Sequence, residues 1–223
     1  MLAAILMECP TEELVVADDV TLRDMAPGDV KVKIAHSGVC HSDLSAMNGT
    51  IPQAPPAVLG HEGAGVVTDV GDGVTHVVPG DHVIIAFSPP CGTCPFCTGC
   101  NQPNLCINGL IAMGSNPQFR RGDTVVGAMT GCGTFAEETI VPGMAAIKID
   151  KDVPLDVAAL VGCGVTTGVG AALNTAKVTA GSSVLVIGAG GVGVAAIQGA
   201  RIAGAAAIVA IGATRLTLPC DQQ

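Results

Sequence analysis

The 223-residue sequence contains no tryptophan and no tyrosine, and only four phenylalanines. A core built mainly on large aromatic side chains is therefore excluded. The 30 glycines instead favour short strands, tight turns and close backbone packing. Basic residues are scarce as well, because ten Lys and Arg against 19 Asp and Glu leave a net charge of -9. Without a basic field to attract a polyanion, nucleic acid and anionic membranes are not expected as partners.

Long apolar runs are scarce as well, and no basic segment precedes the first apolar run. No uninterrupted apolar stretch reaches about 18 residues, so no membrane span is expected. The first residues carry no basic segment before Glu8, so no signal peptide is expected. Ten cysteines in a chain without a secretory signal favour metal ligands over disulfides. The sequence thus predicts a cytoplasmic protein in a reducing compartment.

Two different patterns follow one another along the chain. The first 150 residues or so contain short apolar runs between turn signals, which predict strands. These runs are Val30–Ile34, Ala64–Val70, His82–Phe87 and Thr139–Val141. Between about 88 and 125 the periodicity disappears and Cys, Pro, Gly and Asn dominate, so this loop needs something other than a core to hold it.

From Pro154 the pattern predicts a helix start and then one β-α-β unit. Ser183–Ile187 and Ala207–Ile211 are predicted as fully buried parallel strands, with a helix over about 192–204 between them. The sequence therefore predicts an α/β protein whose second part begins a parallel sheet.

Cys40, His61 and Cys163 each lie in a short motif next to glycine or serine. Taken singly each is a weak signal, because a buried Cys is usually a small apolar residue. The run Gly60-His61-Glu62, followed by Gly65, Gly71 and Val74, is more specific. It matches the signature of zinc-dependent medium-chain alcohol dehydrogenases, and residues from about 25 to 211 resemble that family.

The resemblance implies a role for each residue around this motif. Cys40, His61 and Cys163 would hold a catalytic zinc, and Ser42 would take the proton of the alcohol. Asp43 and Glu62 would orient and tune the site. His41 would lie near the cofactor pyrophosphate, with a plain surface histidine as the alternative. Ser45 stands where relatives often have the histidine that ends the proton relay, so the relay would be shorter or end in water.

The implied chemistry is consistent with the residue types. Two thiolates and one neutral imidazole balance the charge of Zn²⁺, and three protein ligands leave a fourth position open. Zinc with an open position lowers the pKa of a bound alcohol, which prepares it to release hydride to a nicotinamide.

Five cysteines occur within sixteen residues between Cys91 and Cys106. Such a cluster is expected to hold a cation, and a closed zinc site with four cysteines is the favoured interpretation. In an iron–sulfur run three residues separate the last two cysteines, whereas only two residues separate Cys97 from Cys100 here. By resemblance to the family's structural zinc lobe, the predicted ligands are Cys91, Cys94, Cys97 and Cys106. Replacement of Cys97 by Cys100 stays open.

Gly188-Ala189-Gly190-Gly191-Val192-Gly193 is a GxGxxG turn between a predicted strand and a predicted helix. In that context it predicts a dinucleotide cradle, in which pyrophosphate rests on the helix N-terminus. The cofactor-contacting residues are then Gly188, Gly190, Gly191, Val192 and Gly193. An acid expected near Gly212 is missing, and Arg215 follows, so NAD and NADP both remain open. The tail from 213 does not resemble the family and suggests a truncated end.

The resemblance finally implies an architecture and a function. A GroES-like β-barrel catalytic domain over 1–163 would precede a partial Rossmann domain, a doubly wound parallel sheet, over 164–223. The protein would interconvert small alcohols with aldehydes or ketones, using two Zn²⁺ per chain and NAD or NADP. The full-length protein would be a homo-oligomer. Two alternatives are a zinc-independent quinone or enoyl reductase relative and a non-enzymatic zinc-binding remnant.

Overall fold

The computed structural model describes residues 1–109 and 117–212. The chain forms two compact units, one of residues 1–163 and one that begins at Gly164. Arg215 and Cys220 lie outside the described residues, as does the whole tail that the sequence marked as unlike the family.

The first unit is built from two sheets of short strands. In chain order the strands are β1 (Ala3–Leu6), β2 (Val15–Ala17), β3 (Val20–Leu22), β4 (Asp29–Gly38), β5 (Ala57–Val58), β6 (Glu62–Val70), β7 (His82–Ile85), β8 (Phe119–Arg121), β9 (Thr124–Ala128), β10 (Glu138–Pro142) and β11 (Ala146–Ile149). The six-stranded sheet has the order β2-β1-β5-β9-β8-β3, and the five-stranded sheet β10-β4-β6-β7-β11. Neighbours run antiparallel, apart from the parallel pair β5 and β9.

The core of this unit consists mainly of aliphatic side chains, as the scarcity of aromatic residues predicts. Val30, Val32 and Ile85 belong to one fully buried cluster on the five-stranded sheet. Ile5 and Phe119 belong to a second cluster on the six-stranded sheet. Alternate burial along β4 and β7 reflects the two-residue period of a strand with one face on the core.

The four predicted strands of the first unit are confirmed, with one informative extension. The predicted run at 30–34 continues as β4 to Gly38. Its added residues pair with β6, with Ser37 opposite Gly63 and Gly38 opposite Glu62. Hydropathy does not reveal this extension, because backbone pairing holds it and its side chains are polar or small.

Short helices connect the strands of the first unit. They are α1 (His41–Met47), α2 (Pro95–Thr98) and α3 (Leu155–Leu160). At the start of α1 the Asp43 carboxylate accepts the Cys40 N–H at 2.8 Å, which satisfies a donor that the helix leaves free. The predicted helix start near Pro154 is confirmed, with Pro154 in extended conformation directly before α3.

The second unit contains α4 (Thr166–Gly170), β12 (Ser183–Ile187), α5 (Gly191–Ile202) and β13 (Ala207–Ile211). Strands β12 and β13 are parallel and in register, so the predicted β-α-β unit is confirmed. Helices α4 and α5 approach closely because Gly168 lies against the Val192 carbonyl and Gly199 against Val169. A side chain at either position would keep the helices apart.

The prediction that both parallel strands are fully buried is wrong. Leu185 of β12 is 58% exposed and Val209 of β13 is 55% exposed. A continuous apolar run predicts burial only when layers cover both faces of the sheet. Within the described residues, this sheet has two strands and one following helix, so much of its apolar surface has no cover.

In the described part of the chain, α3, α4 and the helical turns around them form one continuous helical stretch, Leu155–Thr175. By length and composition alone, this stretch is long and apolar enough to cross a bilayer. That is weak evidence, since interior helices of other proteins satisfy the same criterion. Its first turn packs through Ala158 and Ala159 on Ala64 of β6. The expectation of no membrane span stays a prediction.

Candidate active site and metal centres

The first candidate centre brings together residues from three distant parts of the first unit. One donor atom each from Cys40, His61, Glu62 and Cys163 lies within 4.8 Å of the other three. Cys40 lies between β4 and α1, and His61 directly precedes β6. Cys163 lies in a π-helical turn, Val161–Val165. Such a widened turn is often found at functional sites.

Glycines at the edge of this centre allow the backbone to approach closely. A Cβ at position 38 would overlap the Glu62 Oε2, so Gly38 leaves the space that this carboxylate occupies. Gly162 lies over the Ile85 carbonyl, where a Cβ would come within 2.7 Å of the oxygen. The turn that carries Cys163 can therefore pack directly on β7.

Gly60 has a positive φ of 87°, a conformation that an L side chain adopts only with strain. A Cβ there would lie 2.6 Å from the Thr134 Oγ1 and 2.7 Å from the Phe135 nitrogen. The chain therefore turns sharply at Gly60, and this turn directs His61 toward Cys40.

Asp43 connects the two segments that carry Cys40 and His61. Its buried carboxylate accepts the Cys40 N–H at 2.8 Å and the Gly60 N–H at 3.1 Å. The same carboxylate lies 3.3 Å from the His61 Nδ1. A carboxylate at Nδ1 selects the tautomer that carries its proton there, which leaves Nε2 free to bind a metal.

The centre attracts positive charge strongly. Burial by itself lowers the pKa of His61, but hydrogen bonds to Asp43 and Cys163 outweigh it and raise that pKa to about 10. Partial burial opposes ionisation of the Cys40 thiol. Hydrogen bonds from Ser42, together with the neighbouring His61, nevertheless lower its pKa. A divalent cation at this position would replace the imidazole proton and neutralise the thiolates.

This donor set fits Zn²⁺. Thiolate, imidazole and carboxylate are the zinc ligands of proteins, and here one atom of each lies within reach of a common centre. The Asp43 carboxylate already orients the imidazole in the way that metal-binding histidines require.

Two residues close to the first centre differ in their exposure. Ser42 is half-buried, and its hydroxyl lies 3.6 Å from the Cys40 Sγ. His41 begins α1 and is exposed, and Ser45 follows on the same helix, half-buried. The geometry places Ser42 beside the donor atoms, while His41 lies at the surface.

The second candidate centre is the cysteine-rich lobe. The sulfur atoms of Cys91, Cys94, Cys97 and Cys106 all lie within 4.8 Å of one another. The Cys94 Sγ lies 3.5 Å from that of Cys97 and 3.8 Å from that of Cys106. Tetrahedral zinc with Zn–S bonds of about 2.3 Å holds its sulfurs about 3.8 Å apart. The lobe therefore fits a closed four-thiolate zinc site.

Hydrogen bonds to sulfur make the lobe suited to thiolates. Cys91 accepts from the Thr93 hydroxyl and from the backbone N–H groups of Thr93 and Cys94, which lower its pKa to about 5. Cys106 accepts from the backbone N–H groups of Cys91 and Gly109, each at 3.2 Å. Desolvation raises the pKa of Cys97 to about 11, which opposes ionisation of this thiol in the absence of a cation.

The remaining described cysteines lie outside both donor groups. Cys100 is exposed, and the lobe's donor group contains Cys97 in its place. Cys132 is fully buried in the first core cluster, where burial raises the pKa of its thiol to about 12. Cys9 packs beside Met47 in another apolar cluster.

The glycine turn lies between β12 and α5. Gly188 has a φ of 101°, and its N–H donates to the Ile211 carbonyl at 2.7 Å. A Cβ at Gly193 would collide with the Gly188 carbonyl, so helix and turn pack without a side chain between them. A Cβ added at Gly190 or Gly191 would have no neighbouring atom within 4 Å. Val192, the next residue, is 46% exposed. The turn can thus admit an anion at the start of α5.

Comparison with known proteins agrees with this geometry. Residues 26–151 match the family model of the alcohol dehydrogenase GroES-like domain. The chain belongs to this alcohol dehydrogenase family. The resemblance seen in the sequence is confirmed, and so is the predicted α/β class with an N-terminal GroES-like domain.

Curated relatives share nearly half of their aligned residues with this family member. S-(hydroxymethyl)glutathione dehydrogenase of Photobacterium damsela subsp. piscicida is 47% identical over 199 residues, covering 84% of this chain and 53% of the relative. The enzyme of the same name from Escherichia coli O1:K1 is 46% identical over 199 residues, with the same coverage of both chains. The chain spans about half the length of the curated relatives it matches.

Solved structures show the same fold. The alcohol dehydrogenase zinc-binding domain protein of Burkholderia ambifaria superposes with a TM-score of 0.86 at 33% identity, over 94% of this chain and 58% of the other. Benzyl alcohol dehydrogenase of Acinetobacter calcoaceticus gives 0.83 at 32% identity, over 94% and 57%.

Sequence reasoning placed Glu62 outside the ligand set, whereas its carboxylate oxygen lies within the first donor group. A residue that follows a ligand at the start of a strand normally points to the opposite face. The adjacency of Glu62 to His61 therefore does not predict that both side chains reach one centre. The register of Glu62 opposite Gly38 brings its carboxylate to the centre.

Proposed function

We propose that this chain carries the catalytic zinc site, the structural zinc lobe and the pyrophosphate cradle of a zinc-dependent alcohol dehydrogenase. The whole protein would interconvert alcohols with aldehydes or ketones by hydride transfer to NAD or NADP. The observation that carries the proposal is the donor group of Cys40, His61, Glu62 and Cys163, whose histidine is oriented by a buried carboxylate.

Each residue of the first centre has a proposed role. Cys40, His61 and Cys163 are the permanent ligands, and Asp43 holds the imidazole. Zn²⁺, when bound, supplies Lewis acidity to a substrate hydroxyl, while the nicotinamide supplies the hydride acceptor. Ser42 relays the substrate's hydroxyl proton: its hydroxyl, beside Cys40, accepts that proton while passing its own proton to water. Glu62 is within reach as an additional carboxylate ligand.

The proposal also assigns the two parts of the chain. Residues 1–163 form the zinc-binding catalytic domain, and residues 164–223 begin the dinucleotide-binding domain. Gly188, Gly190, Gly191, Val192 and Gly193 hold the pyrophosphate. The family resemblance adds His41, the first residue of α1, to the cofactor-contacting residues. Cys91, Cys94, Cys97 and Cys106 hold the structural zinc. The curated relatives are named for an S-(hydroxymethyl) adduct. An alcohol whose hydroxymethyl carbon is bonded to sulfur is therefore among the first substrates to test.

Two measurements test the proposal together. Elemental analysis of protein carrying residues 1–223 should give two zinc ions per chain, and the Cys40→Ser variant should retain one. Iron with visible absorbance would contradict the assignment of the lobe. Alcohol-dependent reduction of NAD or NADP by the full-length protein should disappear in the same variant.

The two alternative functions predict other outcomes in these measurements. A zinc-independent reductase relative would turn over an enone or quinone with no metal in the first centre. The convergence of four zinc-type donors in one place supports the dehydrogenase over that relative. A non-enzymatic remnant would bind both zinc ions and show no alcohol-dependent hydride transfer at full length.

The proposed partners and cellular setting rest on composition and on the family resemblance. With a net charge of -9, neither nucleic acid nor an anionic membrane is proposed as a partner. A small-molecule alcohol or aldehyde is the proposed partner, in a cytoplasmic homo-oligomer.

A further inference from the structure

Thr134 lies outside both donor groups, yet it contacts the two chain segments that lead into Cys40 and His61. Its side chain is buried, with 1% exposure. The Oγ1 lies 2.7 Å from the Ser37 Oγ, three residues before Cys40. Its backbone N–H donates to the Gly60 carbonyl at 3.0 Å, directly before His61.

Two glycines make room for this side chain. A Cβ at Gly60 would lie 2.6 Å from the Thr134 Oγ1, and a Cβ at Gly63 would lie 2.6 Å from its Cγ2. Ser37 and Gly63 are direct partners in the pairing of β4 with β6. The methyl group of Thr134 therefore packs on one strand, and its hydroxyl bonds to the other.

The loop that presents Thr134 is itself anchored. Thr130, Gly131 and Gly133 have positive φ angles, which make a tight irregular loop. The fully buried Gln118 donates its Nε2 to the Gly131 carbonyl, and the Thr139 hydroxyl donates to the Cys132 carbonyl. Thr134 is thus held from its own side as firmly as it holds the two segments.

We propose that Thr134 is a positioning residue for the first metal centre, where its contacts with Ser37 and Gly60 set the separation of Cys40 from His61. The inference rests on the proposed function, because it requires that these two residues hold a metal. A metal centre binds most tightly when its ligands are held at the right separation before the ion arrives. Loss of the link should therefore weaken metal binding at this centre and leave the cysteine lobe unaffected.

The central variant is Thr134→Val, which removes the hydroxyl and keeps the branched shape. Chelator competition with Co²⁺ or Zn²⁺ on protein carrying residues 1–223 should show about a tenfold larger dissociation constant at the first centre, the lower end for residues that orient ligands. The Co²⁺ absorption bands that Cys40→Ser abolishes should also shift. Thr134→Ser should restore both affinity and spectrum, because the hydroxyl returns.

A second variant tests the same bond from the other side. Ser37→Ala removes the partner hydroxyl without altering the buried loop. It should weaken the first centre by a similar factor, and the double variant Ser37→Ala/Thr134→Val should be no weaker than either alone. Full additivity in this cycle would overturn the inference, since additive effects mean that the two hydroxyls do not act through each other.

Thr179→Val is the matched control, because the Thr179 hydroxyl pairs with the Ser182 hydroxyl at 3.0 Å in the second unit, outside both ligand segments and the loop of Thr134. It should leave the first centre's affinity and Co²⁺ spectrum unchanged. Equal losses of affinity in Thr134→Val and Thr179→Val would show that the loss is not specific to the Thr134 contacts and would overturn the inference. If the parent protein binds metal only in the cysteine lobe, the proposed function fails and this inference with it.

Discussion

At the scale of single residues, Asp43 connects the backbone at Cys40 and Gly60 with the His61 side chain. One buried carboxylate accepts the Cys40 N–H and the Gly60 N–H and lies 3.3 Å from the His61 Nδ1. It therefore caps a helix, closes a turn and selects a histidine tautomer at the same time. Replacement by a neutral group of the same shape separates the electrostatic part of this role from the packing.

We expect Asp43→Asn to weaken zinc binding at the first centre by about 10-fold to 100-fold, because the amide neither supports the histidine tautomer with charge nor accepts on both of its atoms. Chelator competition measures this change. Asp19→Asn removes an exposed carboxylate paired with Arg121 and should leave the affinity unchanged. Equal affinities for Asp43→Asn and the parent would show that His61 is oriented by other groups.

At the scale of elements, the two candidate metal centres differ in what holds their donor atoms. Cys40, His61 and Cys163 lie on or beside elements that pack on the apolar core, whereas the donor cysteines of the lobe lie in a loop with two short helical turns. A closed metal site contributes its binding free energy to folding where no core is present. The lobe should therefore depend on its ion more than the first centre does.

We accordingly expect Cys94→Ser to lower the melting temperature clearly. Cys40→Ser should abolish alcohol-dependent reduction of NAD or NADP by the full-length protein and leave the melting temperature nearer to that of the parent. Thermal unfolding measures the melting temperatures, and zinc analysis measures the ion lost from each variant. Cys100→Ser is the control, since Cys100 is exposed and outside the donor group. Similar losses for Cys40→Ser and Cys94→Ser would contradict the division into a catalytic and a structural site.

The glycine turn allows a second test at the element scale. Gly193→Ala should destabilise the turn, because its Cβ would collide with the Gly188 carbonyl. Gly191→Ala has open space and a better helix former at the first helical position, so the fold should tolerate it. It should still weaken dinucleotide binding in the full-length protein, because the methyl group occupies the space where the pyrophosphate approaches. Isothermal titration calorimetry with NAD and NADP measures this effect. Undiminished binding would show that the pyrophosphate does not bind at this turn.

At the scale of the whole molecule, the first centre links metal binding to the pH dependence of stability. In metal-free protein the His61 pKa is raised from 6.5 to about 10. A raised pKa means that the folded state binds the proton more tightly than the unfolded chain does. The resulting stabilisation is complete below about pH 6.5 and is lost as the pH rises toward 10.

We therefore expect the parent's advantage in melting temperature over His61→Gln, both in EDTA, to shrink as the pH is raised from 6 to 10. With excess zinc the advantage should persist to higher pH, because the ion takes the place of the proton. Differential scanning calorimetry across this range measures the gap. A gap that widens with pH in EDTA would show that His61 is neutral in the metal-free protein.

The sequence by itself determined the features that depend on neighbouring residues. Five cysteines lie within sixteen residues, so their spacing alone indicates a common cation, whereas the choice of four of them as ligands came from resemblance to the family. The β-α-β unit and its glycine turn are likewise local, because strand, turn and helix signals follow one another directly. The family signature at Gly60-His61-Glu62 indicated the rest of the first centre only through resemblance.

Tertiary structure decided what depends on distant pairing. The approach of Cys163 to His61 needs the packing of its turn on β7, and the carboxylate of Glu62 reaches the centre because Gly38 lies opposite it in the sheet. The contact of Thr134 with Ser37 joins residues 97 positions apart. The exposure of Leu185 and Val209 depends on which layers cover the sheet, not on the hydropathy of the strands themselves. Spacing along the chain constrains only nearby atoms, whereas sheet register and layer packing set the distances between remote ones.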